Sequence, residues 1–246
     1  MTVENAFWLL MILMPIAAFL YASVGHGGAS SYLMLLTIFH FAPEQIRPTA
    51  LILNILVSGI AFLTYRKACA FPNKLFLSLI FFSVPAAFVG GTIVINPLLY
   101  QKILGILLLF PVLRLFNIFP VSDNPVIERK WWMAPALGLG IGLFSGLIGI
   151  GGGIILSPVL LLLGWATIKE TAAISALFIF LNSIAGLTGS GIDQLQIQTQ
   201  LFFLLPFTVA GGIAGAYFGA YRFKVPYLKY LLATVLLIAA SKFLIG

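Results

Sequence analysis

Two glycine-rich stretches interrupt the apolar sequence and are its main candidates for ligand binding. The first reads VGHGGASS at residues 24–31, and the second reads IGIGGGII at residues 148–155. A short apolar segment follows each stretch, so the free N–H groups at the start of a short helix would point back at the glycines. Such N–H groups bind small oxyanions without a buried cation. We therefore predict an anion site at the first glycine turn (residues 25–28) and the second glycine turn (residues 149–152).

Polar side chains beside the turns extend this prediction. Ser30 and Ser31 follow the first turn and Ser157 follows the second, and each adds a hydroxyl donor. His26 lies inside the first turn, where the second has Ile150. Because a histidine titrates near neutral pH, His26 can donate to an anion, carry a coupled proton, or serve structurally by bonding a carbonyl.

Two asparagines occupy matched places inside long apolar segments. Asn54 lies in the first half of the sequence and Asn182 in the second. An amide within a membrane helix needs a hydrogen-bond partner, so it either joins two helices or faces a substrate. The sequence leaves both interpretations open for both residues.

The composition places these motifs in a membrane. The chain has 246 residues, of which 61% are hydrophobic and 8% are charged, and its mean hydropathy is +1.13. Its long apolar runs do not alternate as barrel strands do, which predicts an all-α integral membrane protein. The net charge of +7 comes mainly from short loops, which indicates membrane orientation rather than nucleic-acid binding.

The apolar segments form two similar halves. Residues 1–120 and 131–246 each contain a long segment, a glycine turn, a segment too short to cross about 30 Å of hydrocarbon, and three more long segments. A polar connector at residues 121–130 separates them. The short segments either cross the membrane or fold back as re-entrant hairpins, so we predict 8 to 10 membrane segments in two repeats. The predicted segments cover residues 6–24, 31–41, 49–65, 75–95, 98–119, 131–148, 154–163, 171–190, 201–221 and 227–245.

The loop charges predict that the repeats have opposite orientations. Arg66, Lys67 and Lys74 lie in one loop of the first half, and the equivalent loop of the second half has only Asp193. One loop later the bias reverses, with basic residues in the second half only. Because basic loops stay inside, we expect a cytoplasmic connector, both termini outside, and a retained first helix rather than a signal peptide. Inverted repeats with short helices at matched positions are typical of secondary transporters.

Other functions have weaker support in the sequence. It contains no phosphate-binding loop, zinc-protease motif or Cys/His cluster, so we expect no nucleotide, metal or cofactor and no enzymatic activity. An anion channel and a non-transporting assembly subunit remain alternatives, and in the latter the glycines would only let helices pack closely. For the glycines at residues 138–142 and 210–220, helix packing is the preferred interpretation.

Three stretches resemble the sulfite exporter TauE/SafE family, also called the toluene sulfonate uptake permeases. They are YASVGHGGASSYLMLL, GLFSGLIGIGGGIILSPVLLLLGW and ISALFIFLNSIAGL, so the resemblance covers both halves. It implies a secondary transporter of sulfite, thiosulfate or organosulfonates in a bacterial or archaeal inner membrane. The expected partners are this anion and membrane lipid, without nucleic acid or nucleotide, and a homodimer stays open. The family motifs correspond here to Gly25, Gly27, Gly28, Gly149, Gly151, Gly152, Gly153 and Asn182.

Overall fold

A computed structural model describes residues 3–39, 41, 43–93, 132–191, 202–224 and scattered positions between 227 and 241. Within these ranges the chain is helical, without strands, which confirms the predicted all-helical class. The predicted segment at 98–119, the connector at 121–130 and most of the final segment lie outside the described residues.

The described helices follow the predicted order of long and short segments. In chain order they are α1 (Val3–Ala22), α2 (Ala29–Ile38), α3 (Pro43–Ala68), α4 (Asn73–Thr92), α5 (Met133–Ile148), α6 (Gly153–Leu162), α7 (Ile168–Gly189) and α8 (Leu204–Tyr217), which continues into a π-helical turn at Phe218–Arg222.

Several helices begin earlier than predicted, and α3 and α7 show two physical reasons for it. The expected start of α3 was Thr49, after Pro48, but the helix starts at Pro43 and includes Pro48. A proline this near a helix start removes only one early hydrogen bond. The expected start of α7 was Thr171, but Thr167 caps the helix in a reciprocal capping box with Glu170.

The length and apolar composition of the helices indicate a multi-pass membrane protein. Four of the described helices suffice to cross a membrane, namely Gln45–Ala68, Asn73–Thr92, Ile168–Gly189 and Leu204–Arg222. Shorter apolar helices cover Phe7–Ala22, Met133–Ile148 and Gly153–Leu162. The shortest of these directly follows the second glycine turn.

Glycine faces allow two pairs of helices to pack closely, as predicted for these glycines. On α5, Gly142 approaches the backbone of Ser83 in α4, and Gly138 and Gly146 make equivalent contacts one turn away. On α8, Gly215 approaches the backbone of Phe19 in α1. A Cβ at any of these glycines would collide with the opposing backbone, so only glycine permits this spacing.

Several helix contacts have a counterpart in which each helix is replaced by its equivalent from the other half of the chain. The contact of α4 with α5 has the counterpart α8 with α1, and the contact of α4 with α7 has the counterpart α8 with α3. Likewise α2 packs on α3 and α6 packs on α7, while α3 and α7 pack on each other at the centre. The two glycine turns lie beside this central α3–α7 pair.

Candidate functional site

The two glycine turns share a left-handed backbone at two matched positions and differ at a third, where Gly151 has a φ of 79° and Gly27 has no positive φ. Gly25 and Gly149 both have φ of 78°. Gly28 and Gly152, the N-caps of α2 and α6, have φ of 95° and 77°. Residues with a Cβ rarely adopt this left-handed region, so the turns need glycine. In each turn the N-cap carbonyl accepts hydrogen bonds from the N–H groups three and four residues later.

Asn54 joins the two turns from the middle of α3. Its Oδ1 accepts a hydrogen bond from the Ala29 N–H at 3.2 Å, beside the first turn. Its Nδ2 donates to the Ile150 carbonyl at 3.2 Å in the second turn, and to Ser183 Oγ at 2.8 Å. The side chain is buried. The predicted residues Asn54, Gly27 and Gly151 therefore lie together, because a Cβ at either glycine would overlap the Asn54 amide.

Asn182 lies elsewhere and joins α7 to α4. Its Nδ2 donates to the Phe178 carbonyl at 2.9 Å, and its Oδ1 accepts from Ser83 Oγ at 2.8 Å. When the two halves are aligned on their glycines, the residue that corresponds to Asn54 is Phe178, which lies one helical turn before Asn182. Phe178 packs against Gly152, where a Cβ would be 3.0 Å from its ring. The hydrogen bonds of the Asn182 amide thus go to Phe178 and Ser83 and not to either glycine turn.

His26 and Ser157 come together from different halves of the chain. His26 Nε2 lies 3.1 Å from Ser157 Oγ, which lies 2.7 Å from Ser175 Oγ on α7. All three side chains are buried. Gly153 adjoins this group, because a Cβ there would be 3.3 Å from His26 Cδ2. The result is a chain of polar groups that leads from the first turn to α7.

The two serines after the first turn face different surroundings. Ser30 Oγ donates to the Tyr21 hydroxyl at 2.8 Å, so it faces α1. Ser31 is buried, and its N–H donates to the Gly28 carbonyl at 3.0 Å. Both residues lie in the first turn of α2, next to the N-cap.

Each N-capping glycine has a buried hydroxyl nearby that lacks a hydrogen-bond partner in the protein. Tyr32 Oη would lie 2.7 Å from a Cβ at Gly28. Ser145 Cβ would lie 3.1 Å from a Cβ at Gly152, and Ser145 Oγ is also without a partner. A buried unpaired polar group costs about 1–3 kcal/mol, and a bound water, ion or ligand that accepts its hydrogen bond removes this cost. The sequence analysis missed Tyr32, although a tyrosine in a short apolar helix was a usable signal, whereas Ser145, just before the second turn, was a weaker candidate.

A small cavity reaches Ser157 from the end of the bundle where α7 begins. Its volume of about 10 Å³ is roughly that needed for the centre of one water molecule. The buried hydroxyl of Thr171 has no partner and lines this cavity with Ser157. The remaining lining residues are Val24, Tyr65, Leu161, Ile168 and Ala172.

Arg47 contacts the second turn, where the sequence predicted only neutral donors. Its Nη2 donates to the Gly146 carbonyl at 2.6 Å. Its Cγ and Nε would lie 3.1 and 3.3 Å from a Cβ at Gly149. The half-buried Arg47 thus brings a positive charge to this turn in addition to the neutral donors that the sequence predicted. In the alignment of the two halves on their glycines, Arg47 corresponds to Thr171. Because Thr171 is uncharged, the comparison of the halves did not point to a role for Arg47.

The polar groups that the structure describes around the turns include backbone N–H groups, hydroxyls, the Asn54 amide, the His26 imidazole and the Arg47 guanidinium. Among the residues that the structure describes, no three His, Cys, Asp or Glu side chains lie close enough to hold a metal ion. Donors of this kind suit oxygen-rich anions.

Comparisons with known proteins agree with the membrane architecture. The family model described as Sulfite exporter TauE/SafE matches residues 10–243. The probable membrane transporter protein y4hK of Sinorhizobium fredii is 29% identical over 237 residues, which cover 93% of this chain and 94% of that protein. The probable membrane transporter protein MamO of Paramagnetospirillum magneticum is 30% identical over 105 residues, covering 39% of this chain and 16% of that protein. No solved structure gives a significant match.

Proposed function

Because the chain belongs to the sulfite exporter TauE/SafE family, we propose that it is a secondary transporter of a small sulfur-containing anion. Membership indicates a membrane transporter, and the names of both relatives imply transport rather than catalysis. The substrate class is sulfite, thiosulfate or an organosulfonate, and the membrane is a bacterial or archaeal inner membrane. The anion binds between the two glycine turns.

The observation that carries this proposal is the pair of unpartnered hydroxyls at the two N-caps. Tyr32 Oη adjoins Gly28 and Ser145 adjoins Gly152, where α2 and α6 begin. A helix N-terminus together with an unpaired donor favours a negative ligand. The proposed site keeps all of the predicted residues, in binding or supporting roles, and adds Tyr32 and Ser145; the predicted residues are Gly25, His26, Gly27, Gly28, Ser30, Ser31, Asn54, Gly149, Gly151, Gly152, Gly153, Ser157 and Asn182.

Asn54 has a supporting role in this proposal. Its amide already makes three hydrogen bonds to the protein. It therefore fixes the spacing of the turns and acts on the anion through them. Asn182 acts on the anion still more indirectly, because it positions α7 against α4.

Transport in this proposal occurs by alternating access between two inverted repeats. The exchange of the two halves in the helix contacts supports the repeats at residues 1–120 and 131–246. Movement of one half against the other would expose the turns first to one face and then to the other. The connector is placed inside the cell and both termini outside.

His26 is the proposed carrier of a coupled proton. It is the one titratable side chain of the two turns. The hydroxyls of Ser157 and Ser175 connect it towards the cavity that Ser157 and Thr171 line. Hydroxyls can pass a proton on to an imidazole because they both donate and accept.

The test is anion-dependent thermal stability of the detergent-purified protein. Sulfite, thiosulfate, sulfate, taurine and chloride are titrated separately, because a ligand that binds the native state raises the melting temperature. We expect a sulfur anion to stabilise the wild type. Gly152→Ala should weaken its apparent affinity about tenfold, since the added Cβ disturbs the left-handed N-cap. Gly140→Ala is the matched control, since nothing lies within 4 Å of a Cβ there.

Two results would overturn the proposed site: no anion stabilises the wild type, or the two glycine variants bind it equally well. If Gly152→Ala does not fold, Gly153→Ala replaces it, because its Cβ meets only the end of the Ile179 side chain and the His26 ring. Uphill uptake in proteoliposomes separates a carrier from a channel. Uptake by His26→Gln that a pH gradient still drives would refute proton coupling through His26.

A further inference from the structure

Arg47 occupies a position that is electrostatically unfavourable for a cation. It lies in the early part of α3, inside the apolar span Gln45–Ala68. The positive end of a helix dipole repels a basic side chain there. A cation inside a membrane span is costly, and such residues usually mark an ion or substrate pathway.

The contacts of Arg47 bring its charge to the second glycine turn. Nη2 donates to the carbonyl of Gly146, near the end of α5, and lies 3.5 Å from that of Gly91, near the end of α4. These helix ends carry partial negative charge and hold the guanidinium in place. The side chain passes directly over Gly149, to which its Cγ and Nε are the nearest groups. The guanidinium thus lies beside the proposed anion site.

The other end of the bundle is built differently. The position equivalent to Arg47 is Thr171, a buried hydroxyl beside the cavity at Ser157. Lys169, two residues earlier, donates to the Ala220 carbonyl at 2.9 Å in the π-helical turn. This end therefore also has a cation bound to a carbonyl, but the groups nearest to Gly25, Gly27 and Gly28 belong to the uncharged residues Ala172, Asn54 and Tyr32.

We propose that Arg47 is a substrate-binding residue that receives the anion at the end of the bundle where α3 begins. An oxyanion is a stronger acceptor than a carbonyl, and the planar guanidinium can bind two of its oxygens at once. Arrival of the anion transfers hydrogen bonds from the Gly146 carbonyl to the substrate, next to the second turn. This inference rests on the proposed anion transport. In the predicted orientation this end faces outside the cell.

The experiment measures the apparent Kd of thiosulfate by thermal titration of three purified variants. Arg47→Gln should weaken binding about tenfold or more, since it removes a charged donor to the anion. Arg47→Lys keeps the positive charge but lacks the planar guanidinium, so its Kd for thiosulfate should lie between those of Arg47→Gln and the wild type. Lys169→Gln is the matched control, because it also removes a cation that donates to a helix carbonyl, and it should keep the wild-type Kd.

Salt dependence distinguishes anion binding from a merely structural role. If Arg47 binds the anion, the wild-type Kd rises with ionic strength and that of Arg47→Gln rises less. If Arg47 only holds α4 and α5, the substitution lowers the melting temperature without anion and leaves the thiosulfate Kd unchanged. That result would overturn the inference, as would an equal loss in Lys169→Gln.

The outcomes also separate this inference from the proposed function. A wild type that binds none of the sulfur anions defeats the proposed function itself. A wild type that binds thiosulfate, with Arg47→Gln equally competent, defeats only the role of Arg47. If Arg47→Gln does not fold, Arg47→Lys decides, and a wild-type Kd in that variant overturns the inference.

Discussion

Asn54 shows how one side chain can position a ligand site that it need not touch. Its amide satisfies groups on both glycine turns and on α7, and each turn approaches it too closely for any Cβ. The turns come from different halves of the chain, so their separation depends on this residue. A change in that separation would move the donors of the proposed anion site relative to one another.

We expect Asn54→Ala to destabilise the protein more than Asn182→Ala. The first substitution leaves the Ala29 N–H, the Ile150 carbonyl and Ser183 without that partner, at about 1–3 kcal/mol for each buried group left unpaired. The second affects mainly the Ser83 hydroxyl. Thermal unfolding of both variants without anion measures the difference. Equal losses would show that Asn54 does not hold the turns together.

At the scale of single residues, the sequence predicts the chemistry of a side chain better than the residues that it contacts in the fold. The glycine turns could be found because both copies need left-handed backbone at two matched positions, Gly25 with Gly149 and Gly28 with Gly152. Ser157 was a candidate, but its bond to His26 depends on how the two halves pack. The contact of Arg47 with Gly149 also crosses between halves, so no local spacing indicates it. Both interpretations of Asn54 were open because its amide joins helices and at the same time contacts both glycine turns.

At the scale of helices, close packing depends on glycines that meet an opposing backbone. Gly138, Gly142 and Gly146 lie one turn apart on α5, and each meets α4. Gly140 lies between them in sequence, but faces open space. The sequence predicted packing for this region because small residues recurred there. It could not show which glycines face α4, since its glycines occur at nearly every second position.

This difference predicts opposite effects for two neighbouring substitutions. Gly142→Ala places a Cβ against the Ser83 backbone and should destabilise the protein by about 1–3 kcal/mol, the usual cost of overpacking. Gly140→Ala meets no neighbour and should be neutral, or stabilise by about 0.5–1 kcal/mol because alanine favours the helix. Thermal unfolding of both variants provides the measurement. A destabilised Gly140→Ala would contradict the assigned face of α5.

The start of α7 carries a local sequence signal that the apolar pattern alone does not show. The sequence from Thr167 to Glu170 has the spacing of a capping box, and the structure forms both of its reciprocal hydrogen bonds. The apolar pattern begins only later, so periodicity alone placed the start of α7 too far along. For α3 the misleading feature was Pro48, which a helix tolerates near its start.

For the whole molecule, the main issue is the relative orientation of the two halves. Alternating access by inverted repeats requires that equivalent helices run in opposite directions across the membrane. In this arrangement α3 ends inside the cell and α7, its counterpart, ends outside. Cys69 follows α3 and is the only cysteine of the chain, while Ser190 caps the end of α7. The two helix ends can therefore be labelled independently.

We expect a membrane-impermeant maleimide to label Cys69 from the cytoplasmic side only. Burial raises the pKa of this thiol, with Glu170 adding to the effect. The reactive thiolate is therefore scarce at neutral pH and becomes more abundant as the pH rises towards the pKa, so labelling should be slow at pH 7 and faster at about pH 8.5. Inside-out and right-side-out vesicles provide the two faces.

The second half is tested by Ser190→Cys in a Cys69→Ser background, which should be labelled from the outside only. Cys69→Ser alone is the control and should remain unlabelled. Labelling of both helix ends from one face would mean that α3 and α7 run in the same direction, and inverted repeats would then be excluded. Because the two glycine turns precede these helices, that result would also place both turns towards one face. An anion held between them could then no longer be exposed to each side by exchange of equivalent halves.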